Sequence, residues 1–490
     1  MFTIKFFNIK NKKNFLKIIS ILFLLGLIIG ILFKINFQEK NKEKINEKNK
    51  IENEIEKNSK PKVIIISIDS LSSFHLSHLG YYRKTTPNID RLALEGISFK
   101  RAYTPIPWTS PANLSLLTGS HPIHNKIFFN AQKNNPLDFP SIASIFEENG
   151  FKTGAIATTY LNDSQNFRRG FGTFISPSST PLPLDSSSQN KPINFSSRYL
   201  RANNVTQQTL NFIRENKDSK FFLWVYYYDL AYYFDSNYEP EFSKSFLKEG
   251  QKMKPIKELR YLNQNELTPN QIEYLKAKYD DTLLAIDKEI GRVIEELSFL
   301  KIYDETTIII TADHGTSFSH SPFHGDNLYE ESIRIPMVIK LPSDKKYLIK
   351  NHIEENTPIL LTDIPQTLKD IYNLNSSPLP STSQNMFQSD PERLIFVVVV
   401  EVKFQPPDSS SAIPRERMDV NIKEPEGIKK KMIKGVIKGN YKLIIKQNSK
   451  WFFDLSNDPS EEINQINKNQ FRQIIFLLED RIKEFFKEFI

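Results

Sequence analysis

Thr109 stands where a side-chain hydroxyl could attack an ester. The stretch from Thr104 to Gly119 reads TPIPWTSPANLSLLTG, and Thr109-Ser110 sit just ahead of Pro111 at the start of an apolar run. Proline is favoured in the first helical turn, and a helix start carries free N–H groups and the positive end of the helix dipole. A phosphate or sulfate group would sit well there. A threonine hydroxyl is a weak nucleophile at its own pKa, so it needs a base or a metal ion to activate it. Asp69 follows the apolar run VIIISI, and Asp313 and His314 follow TTIIIT. Asp69 read alone serves equally well as a helix cap. Taken together, two carboxylates, a hydroxyl and an imidazole make a reasonable site for one divalent cation. Mixed oxygen and nitrogen donors favour Zn²⁺ or Mn²⁺ over Mg²⁺ or Ca²⁺. Such an ion would lower the Thr109 pKa and polarise the ester oxygen.

The elements that must position these residues are buried strands. Residues 63–68, 221–229 and 306–311 are short runs of β-branched and aromatic residues with little polar alternation. Strands covered on both faces read this way. Open α/β sheets gather their chemistry outside the carboxyl ends of such strands, where Asp69, Asp229 and Asp313 fall. Pro269 to Leu300 reads as a long amphipathic helix, with Leu275, Tyr279, Leu283, Ile286 and Ile290 on roughly one face. The expected fold is α/β: a large, mostly parallel central sheet flanked by helices, with a small C-terminal α+β subdomain.

A chain of 490 residues, 39% hydrophobic and 12% aromatic, can hold one large domain plus an appendage. The absence of cysteine excludes disulfides and thiolate metal sites. Net charge is +8, but Lys5, Lys10, Lys12, Lys13 and Lys17 supply five of those charges. The excess left over is small, so no nucleic-acid partner is expected. Ile18 to Phe33 is an apolar run between Lys17 and Lys34, with no small-residue cleavage site after it. It reads as an uncleaved transmembrane anchor in the inner membrane, with the N-terminus inside and the main body outside. The expected organisation is a basic tail (1–17), an anchor (18–35), a charged linker (36–62), a catalytic domain (63–376) and a C-terminal subdomain (377–490).

Several segments carry a resemblance. Thr86–Ala93 (TPNIDRLA) and Glu95–Phe99 (EGISF) precede the Thr109 stretch with its LLTG ending. Ala312-Asp313-His314-Gly315, Tyr329–Pro336 (YEESIRIP), Asp363–Leu368 (DIPQTL), Lys438–Ile444 (KGNYKLI) and Phe453–Pro459 (FDLSNDP) follow in order. From about residue 63 to 463 the chain resembles the sulfatase/alkaline-phosphatase superfamily. That resemblance implies an alkaline phosphatase-like sheet, a metal site of Asp69, Thr109, Asp313 and His314, and attack by Thr109 through a phospho-threonine.

The same comparison marks departures. Sulfatases of this superfamily oxidise a Cys or Ser to formylglycine, supported by an Arg four residues on. Here Thr109 and Asn113 stand at those positions, and oxidation of a threonine would give a ketone, so no formylglycine is expected. Many relatives carry His-x-x-Asp-Pro-His where residues 226–231 read YYYDLA, so Tyr226 and Ala231 replace potential ligands. One metal ion is therefore expected. Asp229, His324, Asn113 and Ser70 are left as second-site or substrate-facing candidates. The function so implied is a metal-dependent hydrolase or transferase acting on phosphate esters, with sulfate esters ranked below. By analogy the substrate would be an anionic envelope glycan or lipid head group. Two rivals stand beside it: a catalytically impaired binding or scaffold protein, and a sulfuric ester hydrolase.

Overall fold

The computed structural model describes residues 20–27, 30, 33–34, 60–130, 140–157, 161, 167–176, 200–235, 237–247, 267–320, 327–350, 355–401, 404–405, 417–418 and 425–489. The chain forms two compact units, Met1–Lys60 and Pro61–Ile490.

In the first unit, the longest described helical stretch is residues 20–27. Among the described residues no helix is long and apolar enough to cross a membrane. This overturns the single-pass inner-membrane placement and leaves the membrane partner without support. The basic tail (1–17) and the charged linker up to residue 59 lie outside the described residues.

The second unit is built on a seven-stranded sheet. Its strands are β1 (Lys62–Ile68), β2 (Ile97–Ser98), β3 (Lys152–Ile156), β4 (Thr173–Ile175), β5 (Phe221–Tyr227), β6 (Thr306–Ala312) and β7 (Met337–Lys340), in the spatial order β2-β7-β6-β1-β5-β3-β4. The five strands β6, β1, β5, β3 and β4 run parallel, and β7 is antiparallel at one side. Every residue of β1, β5 and β6 is buried. That is the reason these segments show no polar alternation: both faces are covered, so no position faces water.

Adjacent residues of β5 identify the two covering layers. Phe221 packs edge-on against Phe212 of α4 (Ala202–Asn216), while Phe222 stacks on Phe146 of α3 (Ile142–Glu148) at 4.5 Å. Successive strand side chains point to opposite faces, so α4 and α3 cover opposite sides. Helix α5 (Pro269–Phe299) packs with α4 and α1 (Pro87–Glu95) packs with α5, while α2 (Thr109–Thr118) packs with α3 and α7 (Asp363–Ile371) packs with α2. Tyr226 shares the parity of Phe222 and therefore the face of the Thr109 helix. A four-stranded antiparallel sheet, β8 (Ile395–Val400), β9 (Met432–Lys438), β10 (Tyr441–Lys446) and β11 (Ser449–Asp454), lies toward the C-terminus. Helix α8 (Arg472–Phe485) packs on it.

Candidate active site

Register alone brings the acidic residues together. Ile68 at the end of β1 pairs with Tyr227 of β5 and with Ala312 of β6. The next residues, Asp69 and Asp313, therefore emerge side by side at the carboxyl edge of the sheet. His314 follows Asp313. Its loop then passes so close to α6 (Glu330–Ile333) that a Cβ on Gly315 would lie 2.0 Å from the Glu331 carbonyl oxygen. Only glycine fits that passage. The Glu331 carboxylate holds the loop beyond, accepting from Ser317 Oγ at 2.7 Å, Phe318 N at 3.1 Å and Ser319 N at 3.0 Å.

Thr109 opens α2, all ten residues of which are buried. Its Oγ1 lies 3.3 Å from His314 Nε2 and 3.4 Å from Asp69 Oδ2. His314 Nδ1 lies 3.0 Å from the Gly315 carbonyl oxygen, which accepts from a protonated Nδ1 and leaves Nε2 with its lone pair toward Thr109. The first turn of α2 offers less than the sequence suggests. The Ser110 N–H is taken by Asn130 Oδ1 at 2.8 Å, Ala112 N–H bonds to Trp108 O, and Pro111 has none. The helix end thus contributes its dipole more than a ring of free amides.

The two carboxylates are held by their inner oxygens. Ser70 Oγ donates to Asp69 Oδ1 at 2.6 Å, and the N–H groups of Ser70 and His314 donate to Asp313 Oδ1 at 3.1 and 2.8 Å. To do so Ser70 adopts a left-handed backbone (φ 62°), a conformation that costs about 1–3 kcal/mol for such a residue. Asn113 reaches in from the next turn of α2, its Nδ2 donating to Thr109 O at 2.9 Å and to Asp313 Oδ2 at 3.4 Å. The outer carboxylate oxygens meet a residue of another type. The Tyr226 hydroxyl lies 2.5 Å from Asp69 Oδ2 and 2.8 Å from Asp313 Oδ2.

Electrostatically the site lacks positive charge. Burial, aided by the Asp313 carboxylate, pushes the Asp69 carboxyl up to about 7. Burial raises Asp313 as well, and burial with the two carboxylates holds the Tyr226 phenol well above its usual range. Among the described residues, His314 is the one basic side chain within ion-pair reach of either aspartate, at 3.8 and 3.6 Å. Ligand atoms of Asp69, Asp313 and His314 lie within 4.8 Å of one another. Asn113 Oδ1 is buried beside them with no hydrogen-bond partner among the described residues. Two buried carboxylates, an imidazole lone pair, a hydroxyl and an orphaned amide oxygen fit a divalent cation.

The structure thus gathers Asp69, Ser70, Thr109, Asn113, Asp313 and His314 at one point. Asp229 is not in that group. It lies one residue past Tyr228 in a 3-10 turn, where Tyr238 donates to its Oδ1 at 2.5 Å and burial pushes it up to about 6. His324 lies outside the described residues. Tyr226 is the residue the sequence reading passed over, counting it only as a lost ligand. The available signal was its place at the end of a strand that neighbours β1.

Comparison with known proteins places these observations in a family. The Sulfatase family profile matches residues 61–372, and the chain belongs to that family. An ulvan-active sulfatase from Formosa agariphila is 25% identical over 64% of this chain and 62% of its own length. N-acetylgalactosamine-6-sulfatase from Homo sapiens is 24% identical over 54% of this chain and 52% of its own length. The chain thus spans only half to three fifths of these two curated relatives. An arylsulfatase from Clostridium perfringens is 24% identical over 87% of this chain and 94% of its own length. Among solved structures, the phosphonate monoester hydrolase of Agrobacterium radiobacter matches with a TM-score of 0.64 and 16% identity, over 88% of this chain and 96% of that one. That likeness shows an alkaline phosphatase-like fold.

Proposed function

We propose that this chain is a metal-dependent hydrolase or transferase of phosphoric or phosphonic esters, with Thr109 as its nucleophile. The observation that carries the reading is the position of Thr109 Oγ1, between His314 Nε2 and Asp69 Oδ2 at the head of a buried helix. Asp69, Asp313, His314 and Thr109 would hold the cation. When bound, the ion supplies Lewis acidity to the ester and lowers the pKa of the attacking hydroxyl. Thr109 Oγ1, its proton passed to solvent, would attack phosphorus; the P–O bond to the ester alcohol breaks, the alkoxide takes a proton from water as it leaves, and the phosphoryl group stays on Thr109 until water or an acceptor takes it. Ser70 and Asn113 keep the two carboxylates turned toward the centre. Zn²⁺ and Mn²⁺ fit the mixed donor set best. Among relatives, the phosphonate monoester hydrolase fold and the sulfatase names both point to anionic esters. An anionic glycan ester is the substrate class that the ulvan-active relative supports.

A sulfuric ester is the second reading, favoured by the names of the curated relatives. Threonine opposes it, because its secondary alcohol cannot be oxidised to the aldehyde that formylglycine chemistry needs.

The test uses the full chain with p-nitrophenyl phosphate, bis-p-nitrophenyl phosphate and p-nitrophenyl sulfate, each with and without Mn²⁺ or Zn²⁺. Metal-dependent phosphoester turnover is expected, retained in part by Thr109→Ser and reduced by a factor of about 10³ or more in Thr109→Ala. Acid quench should trap a phosphoryl adduct that maps to residue 109. Turnover unchanged in Thr109→Ala, or sulfate turnover alone, would sink the reading. A chain that binds metal tightly yet turns over none of these esters would favour the binding-protein alternative.

A further inference from the structure

We propose that Tyr226 is itself a ligand of the metal ion, its phenol oxygen completing the set made by Asp69, Asp313, His314 and Thr109. The inference rests on the metal-dependent reading above and goes beyond it, because it adds a residue type that the resemblance does not supply.

Three observations carry it. First, the orientation of the carboxylates singles out one space. Both inner oxygens are occupied, Asp69 Oδ1 by Ser70 Oγ and Asp313 Oδ1 by two backbone N–H groups. The outer oxygens face the centre, and Tyr226 Oη lies between them at 2.5 and 2.8 Å.

Second, one phenolic hydrogen cannot serve both contacts, so without a cation the other contact needs a proton on one of the two carboxyl groups. A phenol has one hydrogen to donate, yet two carboxylate oxygens crowd it at hydrogen-bonding distance in a fully buried place. One of those contacts is oxygen against oxygen with no phenolic hydrogen between. A cation bound by all three oxygens gives each of them a favourable partner and takes the place of those protons.

Third, the spacing suits a shared ion. Oxygens at about 2.1 Å from one cation stand roughly 3.0–3.4 Å apart in octahedral or tetrahedral arrangements. Thr109 Oγ1 stands 3.4 Å from Asp69 Oδ2 and 3.3 Å from His314 Nε2. The Tyr226 contacts, at 2.5 and 2.8 Å, would lengthen by roughly 0.5 and 0.2 Å to reach the octahedral spacing. The neighbouring Tyr227 points to the other face, with its hydroxyl 2.8 Å from Thr206 Oγ1, and provides an internal control.

Tyr226 binds as phenolate, and its proton leaves to solvent as the metal enters. The experiment strips the full chain with a chelator and titrates it with Zn²⁺, and separately with Fe³⁺ supplied as its nitrilotriacetate complex. Bound metal is quantified alongside the spectra. Expected are a near-ultraviolet tyrosinate difference spectrum with Zn²⁺ and a visible phenolate-to-iron band with Fe³⁺, each saturating with the bound metal. Both are expected to vanish in Tyr226→Phe and persist in Tyr227→Phe, and Tyr226→Phe should bind Zn²⁺ at least about 10-fold more weakly. Metal bound to the wild-type chain with no tyrosinate signal overturns the proposal, whatever Tyr226→Phe does to affinity, and leaves the metal-dependent reading standing. A signal that survives in Tyr226→Phe overturns it as well. No metal bound to the wild-type chain overturns the metal-dependent reading itself and this inference with it. The wild-type spectra decide the point even where Tyr226→Phe fails to fold.

Discussion

Asn113 separates two ways of explaining the buried aspartates. It is fully buried, it donates to Thr109 O and Asp313 Oδ2, and its Oδ1 finds no partner among the described residues. A site that holds a cation can use a nearby oxygen; a merely structural cluster cannot. Asn113→Asp adds a third carboxylate at nearly constant volume. Without metal the new charge has no cation to face, and an uncompensated buried charge costs about 3–5 kcal/mol. The variant is expected to unfold at lower denaturant than wild type in chelator, and to gain more from added Mn²⁺ than wild type does. Equal metal-induced shifts in the two proteins would show that no ion sits near residue 113. At this scale the sequence is a good guide to Asp69, Thr109, Asp313 and His314, because each ends or begins a strongly apolar run. It is a poor guide to Tyr226 and Asp229. In FFLWVYYYD every residue of the strand is buried, so polarity gives no hint of which face each side chain takes. The three-dimensional parity decides it: Tyr226 turns to the centre, and Asp229 falls beyond the strand end in a turn of its own.

Among the elements, α1 and α5 are joined by one buried carboxylate. Asp287 of α5 accepts from Asn88 N at 3.0 Å and Ile89 N at 2.9 Å, and from Asn88 Nδ2 at 2.9 Å. It thereby caps the first turn of α1, whose N-cap residue Thr86 makes no side-chain cap bond. Burial outweighs these bonds and pushes the Asp287 carboxyl up to about 6 from an ordinary 3.8. The folded state therefore holds this proton more tightly than the unfolded state. Its contribution to stability is full below pH 4 and is lost as pH rises toward 6, the two states binding the same number of protons above that. Two pH units of difference correspond to a loss on the order of 3 kcal/mol. Asp287→Asn keeps an acceptor oxygen and cannot ionise. The stability of wild type relative to Asp287→Asn is expected to fall by that order between pH 4 and 7, read from urea unfolding in chelator. A constant difference across that range would show that Asp287 titrates normally. The long amphipathic pattern of α5 and the three buried strands are legible from period and composition. The cap is not, because Asp287 lies far along the chain from the helix it caps. The short strands β2 and β7 escape notice as well, since two to four residues carry too little pattern to be separated from loop.

For the molecule as a whole, hydropathy and helix geometry disagree at the N-terminus. Hydropathy counts apolar residues from 18 to 33, whereas crossing a bilayer needs a helix of about 20 residues, and among the described residues no helix is long and apolar enough to do so. Family membership and the central sheet were legible because their signals are local and repeated along the chain. How the four-stranded sheet bears on the site is visible only in three dimensions. Lys442 of β10 is wholly buried, with Nζ 3.1 Å from Glu330 Oε1 and 2.7 Å from Glu461 Oε1. Glu330 opens α6, and the next residue, Glu331, is the one that holds the loop after His314. The cluster therefore ties the C-terminal sheet to the segment that shapes the metal-side loop. Burial pushes Glu461 up to about 7 against the pull of Lys442, so removing the lysine leaves two carboxyl groups facing each other without a cation. Lys442→Met is expected to cost about 3–5 kcal/mol and to weaken metal binding through displacement of the Glu331 loop. Combining it with Glu330→Gln and Glu461→Gln removes the repulsion and should recover most of the stability, because the three residues act as one unit. Urea unfolding and a Zn²⁺ titration on the single and triple variants separate two possibilities. Stability lost with metal affinity intact would make the sheet a simple support. Affinity that falls with Lys442→Met and returns in the triple variant makes the sheet a part of what positions His314.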